Sequence, residues 1–197
     1  MAFFPTSEEA TCKQDNIANA VSLTTDTIPT GYVCFNLTDL FTQSSDNGSK
    51  GLWHSSKNTS SQGVDYLLSN RGSYNANANY TNVWYQQVDQ ASNTKPGADG
   101  TWVFYTYAFA DCIQNGGDAY ELNDFPWFET SCQTKDAGEC QQLPKTVKSF
   151  AIGPADKYNV NHRGCEVWAT MGDASTLNRR TSALLAVAIT IAAFLML

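Results

Sequence analysis

Basic residues are scarce in this chain. Twelve Lys and Arg stand against nineteen Asp and Glu, for a formal net charge of −7. A nucleic-acid partner needs a basic face to neutralise phosphates, so none is expected. Electrostatic attachment to anionic lipid is disfavoured on the same ground. Histidine is rarer still. His54 and His162 are the only two, too few and too isolated for a catalytic triad or a zinc framework. No C-x-x-C pair, no G-x-S-x-G around a serine and no Lys-bearing glycine loop occurs, which argues against redox-motif, α/β-hydrolase and P-loop chemistry. The alternating acids of an EF-hand are also missing. No metal and no cofactor are expected. Repeats, heptads and long amphipathic helices are absent as well.

Long apolar runs are lacking too, with one exception. The last fifteen residues, 183–197, read ALLAVAITIAAFLML, with no charge and with Thr190 as the only polar residue. At about 1.5 Å per residue such a helix reaches about 22 Å, short of the roughly 30 Å of a hydrocarbon core. It falls within the ~10–20 residues of a cleaved GPI tail. Small residues precede it, and Gly172 is the expected lipid-attachment residue, followed by Asp173 and Ala174. The spacer 175–182 is then eight residues long, in keeping with the usual ~8–12. A tail anchor or a buried C-terminal helix are the alternatives. The chain therefore divides into a domain over 1–171, an attachment site and spacer over 172–182, and a tail over 183–197. Partnership with a membrane is expected through the lipid anchor or the tail.

A signal peptide is lacking at the other end. Ala2, Phe3 and Phe4 make only a token apolar run with two glutamates close behind. Export therefore expects a leader upstream of Met1. Six cysteines, Cys12, Cys34, Cys112, Cys132, Cys140 and Cys165, would form three disulfides in an exported chain. Fifteen connectivities exist; one arrangement closes Cys132 with Cys140, Cys12 with Cys34 and Cys112 with Cys165. Six free thiols in a cytosolic protein are the alternative. Sequons for N-glycosylation stand at Asn36, Asn47, Asn58 and Asn79. The whole resembles GPI-anchored surface glycoproteins of eukaryotes, particularly the cysteine-stapled, Ser/Thr/Asn-rich ones of fungal walls. That resemblance is architectural and carries over no active residues. It implies display at the extracellular face of the plasma membrane or in the cell wall.

Strand signals dominate what remains. Residues 31–37, 64–68, 81–89, 101–110, 146–152 and 164–171 are short, β-branched, aromatic or alternating. Residues 16–24 fit a short helix or a strand, and 42–63 form a loop with at most one short strand. The run TWVFYTYAFA over 101–110 is apolar on both faces and reads as a central strand. With 81–89 it is expected to form a long hairpin. Residues 111–145 read as irregular. Seven or eight strands with turn-rich connections point to an all-β fold, an antiparallel sandwich or barrel stapled by disulfides, with the C-terminal apolar helix outside it.

Chemistry concentrates in 118–129, DAYELNDFPWFE. Asp118, Glu121, Asp124 and Glu129 lie among Tyr120, Phe125, Trp127 and Phe128. Rings can stack on the apolar face of a sugar while carboxylates accept its hydroxyls. Asp118, Tyr120, Glu121, Asp124, Trp127 and Glu129 are the candidate ligand-binding residues, with cell-wall carbohydrate as the candidate ligand. The leading reading is a non-catalytic, structural or carbohydrate-binding surface protein. The alternative is a secreted polysaccharide hydrolase using the same acids, which needs two carboxyls about 5–9.5 Å apart.

Overall fold

Alternating apolar and polar residues commit eleven described segments to strands, and the strands bury their apolar faces against one another. A computed structural model describes residues 1–7, 12–48, 63–88, 95–114 and 127–171. Along them run β1 (Ala2–Pro5), β2 (Val21–Thr24), β3 (Val33–Asn36), β4 (Asn47–Gly48), β5 (Tyr66–Ser69), β6 (Tyr80–Tyr85), β7 (Asp99–Tyr107), β8 (Trp127–Cys132), β9 (Glu139–Gln142), β10 (Ser149–Pro154) and β11 (Ala169–Met171). Two short helices, α1 (Leu37–Thr42) and α2 (Asp156–His162), follow β3 and β10. Six strands form one sheet in the order β4-β5-β2-β1-β6-β9, and five form the other in the order β11-β8-β7-β10-β3. Every pairing is antiparallel. The fold is an all-β sandwich of two antiparallel sheets, stapled by three disulfides.

The core lies between the sheets. Phe3, Leu23 and Val83 from the six-stranded sheet meet Val33, Phe104, Phe150 and Ile152 from the five-stranded one. Each such large apolar side chain contributes about 1.5–3 kcal/mol by leaving water. Phe35, Phe104 and Phe3 surround the Phe150 ring at centroid distances of 5.2, 5.8 and 5.2 Å. β7 is the middle strand of its sheet, as its two apolar faces predict.

The expected hairpin of 81–89 with 101–110 does not form. β6 pairs with β1 and β9, whereas β7 pairs with β8 and β10, so the two strands belong to opposite sheets. They meet through side chains instead: the rings of Tyr85 and Phe104 stack at 5.0 Å across the core. Both strands have apolar residues to bury on two faces, and facing each other across the sandwich buries more of that surface than lying side by side. The apolar token Ala2–Phe4 turns out to be β1, with all three residues at 0% exposure. Residues 16–24 contain both alternatives: a helical turn over Gln14–Asn19, then β2. The region read as irregular over 111–145 holds β8 and β9. Of 164–171 only β11 is strand.

The disulfides connect Cys12 to Cys140, Cys34 to Cys112 and Cys132 to Cys165, with Cα separations of 5.9, 6.0 and 5.0 Å. None of the three expected pairings, Cys132 with Cys140, Cys12 with Cys34 and Cys112 with Cys165, forms. Cys132 ends β8 and Cys140 is the second residue of β9, strands of different sheets, so nearness along the chain does not bring them together. The attachment residue Gly172, the spacer and the tail lie outside the described residues, as does the sequon Asn58.

Candidate functional site

The outer face of the five-stranded sheet is built from one row of residues crossing all five strands. Cys34 pairs with Ala151, Ala151 with Tyr105, Tyr105 with Glu129 and Glu129 with Ala169. The row is small at Cys34, Ala151 and Ala169 and large at Tyr105 and Glu129. Because side chains alternate across a strand, Tyr105 and Tyr107 of β7 point out on the same side while Phe104 points into the core. Tyr158 of α2 and the preceding Ala155 pack down onto the same face.

Where the row is small, a cleft opens. Its volume is about 590 Å³, and Tyr32, Cys34, Tyr107, Asp111, Cys112, Ile113 and Ala151 line it. Ala151 supplies a low floor, Tyr107 and Tyr32 stand as walls, and the Cys34–Cys112 disulfide closes one side. Tyr32 is 47% exposed and Ile113 is 49% exposed. Tyr32 can lie flat against the sheet because β10 has glycine beneath it: a Cβ on Gly153 would fall inside the Tyr32 ring. The Tyr105 hydroxyl donates to that of Tyr32 at 3.3 Å, and the two rings meet edge to face at 5.4 Å.

Asp111 reaches the cleft from a left-handed turn, with φ of 56° at Asp111 and 53° at Cys112. Asn36, at the end of β3, holds that turn. Its Oδ1 accepts the Asp111 backbone N–H at 2.7 Å and its Nδ2 donates to the Asp111 carboxylate at 2.9 Å.

Behind the cleft lies a buried acid. Glu129 of β8 is 1% exposed, and the Tyr158 hydroxyl donates to its Oε1. Burial pushes its carboxyl above the usual range, because the charged form loses water. The Tyr158 hydrogen bond and His162 oppose that rise, and Glu166 adds to it. The Cys132–Cys165 disulfide sets Glu166 beside β8, where its carbonyl accepts the Ser131 N–H at 2.9 Å. His162 stacks on the Tyr158 ring at 4.0 Å and its Nδ1 lies 2.8 Å from the Tyr158 carbonyl. Tyr105, Tyr107 and Tyr158 all have hydroxyls pushed well above the ordinary tyrosine range, chiefly by burial. They stay protonated donors throughout the accessible pH range.

Of the candidate residues read from sequence, Asp118, Tyr120, Glu121 and Asp124 lie outside the described residues. Trp127 and Glu129 are brought to the same outer face, two positions apart on β8, with Trp127 half-buried against the tyrosine cluster and Glu129 beneath it. Tyr32, Tyr107, Asp111 and Ile113 escaped the sequence reading. The Tyr-x-Tyr spacing of Tyr105 and Tyr107 is the signal that bears on them, since it aims two rings at one face.

A second hollow of about 530 Å³ opens at one end of the sandwich between the sheets, beside Thr24, Gln87 and Trp102. The exposed Asp26 also lines it, and Gln87 and Trp102 bind each other in its wall. Gln87 accepts the Trp102 N–H at 2.6 Å and donates to the Trp102 carbonyl at 3.1 Å, while the Trp102 indole donates to Thr27 at 2.9 Å. The cleft on the five-stranded sheet sets the exposed Tyr32 ring and the exposed Asp111 carboxylate over the small Ala151, whereas the end hollow is lined by Trp84, Trp102 and the exposed Asp26.

Among the cleft's described lining residues Asp111 is the only carboxylate. Most glycoside hydrolases flank the scissile bond with two carboxyl groups; Glu129 is 1% exposed. The arrangement can stack a ring and accept hydroxyl hydrogen bonds. No family model matches the chain, and no curated protein or solved structure matches it significantly.

Proposed function

We propose that this chain is a non-catalytic surface glycoprotein of the plasma membrane or cell wall, held by a lipid anchor at Gly172, whose sandwich binds carbohydrate in the tyrosine-walled cleft. One observation carries the binding reading: two aromatic walls, Tyr32 and Tyr107, stand over a small floor with the Asp111 carboxylate at the rim. A pyranose presents an apolar face to rings and hydroxyls to a carboxylate, and pockets of this kind combine apolar walls with a few placed polar groups. The three disulfides agree with an oxidising, extracellular setting. The small-residue site, eight-residue spacer and fifteen-residue apolar tail support the anchor.

Titration with soluble glucan and chitin oligomers, followed by calorimetry, tests the binding. Tyr32→Ala removes an exposed wall, so affinity should fall about tenfold or more, the effect of losing roughly 1–2 kcal/mol of ring contact. Thermal stability should change little, because about half of the ring already faces water. Unchanged binding in Tyr32→Ala, or no binding of any oligomer by the wild type, would end the reading. Release of reducing ends from glucan would replace it with the hydrolase alternative.

A further inference from the structure

Four sequons are written in the sequence, and the geometry treats the described ones unequally. We infer that Asn79 carries an N-linked glycan and that Asn36 does not, its amide serving instead as the clamp of the cleft. The inference rests on the export part of the proposed function.

Attachment of a glycan consumes the side-chain amide. Nδ2 attacks C1 of a lipid-pyrophosphate-linked oligosaccharide in the host transferase. The C1–O bond to pyrophosphate breaks, the lipid pyrophosphate leaves with the electron pair, and one Nδ2 proton passes to a base on the enzyme. The product keeps a single N–H where the amide had two.

Asn36 has none to spare. Its Nδ2 donates at 2.9 Å to Asp39 and at 2.9 Å to Asp111, and its Oδ1 accepts the Asp111 N–H at 2.7 Å. Two of these three bonds end on carboxylates, the stronger class of hydrogen bond. A sugar at Nδ2 would remove one of them and drive a ring into the place of Asp39 or Asp111. The cost does not stop there. Asp111 and Cys112 both hold positive φ, which non-glycine residues keep only when their surroundings enforce it. Asn36 holds the Asp111 half of the turn, while the Cys112 half is held by the Ser149 hydroxyl, which accepts its N–H at 2.9 Å, and by the Cys34–Cys112 bridge. The other sequon positions do not separate the two sites: Leu37 and Tyr80 are both buried, and the Thr38 and Thr81 hydroxyls both have hydroxyl partners, Tyr74 at 2.8 Å and Thr6 at 2.9 Å. A chain glycosylated at Asn36 before folding cannot close this turn.

Asn79 is the opposite case. It is exposed, and its side-chain amide makes no hydrogen bond among the described residues. Its backbone carbonyl alone is held, by the Thr6 N–H at 2.7 Å and the Thr6 hydroxyl at 2.9 Å. A glycan there projects into water without breaking a contact.

The test is site mapping of the full chain, passed through the secretory pathway of a yeast behind a supplied leader and recovered with its disulfides intact. Enzymatic deglycosylation in heavy-oxygen water converts each occupied Asn to labelled Asp. Label at Asn79 and none at Asn36 is the expected result. Label at Asn36 in disulfide-intact protein, or its absence at Asn79, overturns the inference. Asn79→Gln should shed one glycan and keep its melting temperature. Asn36→Gln should keep every glycan and melt lower. The same mapping on chain taken from its own cells addresses export separately. No label at any sequon there, with Asn79 labelled in the leader-driven chain, removes the export reading and leaves the difference between the two asparagines standing.

Discussion

The outer faces of the two sheets are built alike and finished differently. On each, an aromatic ring lies over a glycine beside a disulfide. On the six-stranded sheet Trp84 covers Gly138 next to Cys12–Cys140, its indole donates to Ala137 at 3.0 Å, and it is 6% exposed. On the five-stranded sheet Tyr32 covers Gly153 next to Cys34–Cys112 and keeps 47% of its surface in water. The tryptophan has its hydrogen bond and its burial within the domain. The tyrosine has neither in full, and its neighbours Ala151 and Asp111 leave it room. The ring on the five-stranded face keeps far more of its surface in water than the one on the six-stranded face, where a smaller hollow of about 270 Å³ lies beside Trp84 and the disulfide.

Removing either disulfide should produce the largest effects and separate the two faces. Loop-closure entropy assigns each about 4–5 kcal/mol, given sequence separations of 128 for Cys12–Cys140 and 78 for Cys34–Cys112. Paired Cys→Ser variants of either should therefore melt far lower, by comparable amounts. Measured below their melting temperatures, only the Cys34–Cys112 variant should lose oligosaccharide binding. Equal loss of binding in both would break the distinction.

The glycines give a sharper and smaller contrast. Gly138→Ala pushes a Cβ into the buried Trp84 indole at a residue with φ of 67°. It should cost about 1–3 kcal/mol, as overpacking and left-handed strain do, and leave binding intact. Gly153→Ala meets a half-exposed Tyr32 that can swing into water, so denaturant midpoints should move less while affinity falls.

The smallest expected effect is also the most specific. Glu129 has its carboxyl raised in the folded state. The folded protein therefore holds that proton more tightly than the unfolded chain does. Its contribution is fully present below the unfolded value, near 4.5, and is lost as pH rises from there through the folded value. Glu129→Gln keeps an acceptor for Tyr158 and never ionises. It should be more stable than wild type at pH 7, with the gain disappearing near pH 4 in chemical denaturation. A gain equal at both pH values would show that the carboxyl is not titrating beneath the tyrosines. Nothing comparable is expected on the other face, where no buried acid occurs among the described residues.

How much of this was legible beforehand varies with the kind of burial. TWVFYTYAFA announced β7 as a central strand because both of its faces are apolar, and alternation alone then assigned Tyr105 and Tyr107 to one side. By its sequence the strand WFETSC reads as part of an irregular acidic loop. Glu129, Thr130 and Ser131 are all buried, and polar side chains in a sequence do not reveal that partners elsewhere will satisfy them. Ala2–Phe4 does not announce itself, because a strand of four residues has too little pattern to stand out. Trp127 and Glu129 were singled out for their chemistry, and the fold did bring them to one face. Tyr32, seventy-three positions from Tyr105, could not have been joined to them.

Local chemistry in the chain was enough to determine an all-β, disulfide-bonded domain ahead of an apolar tail, and to single out a central strand. Alternation, cysteine parity and the tail are properties of neighbouring residues. Which strands share a sheet, which cysteines meet, which asparagine amides are engaged and where the cleft opens were decided only by the tertiary structure. Each of those depends on residues tens of positions apart, and they come together only when the two sheets pack and the apolar faces leave water.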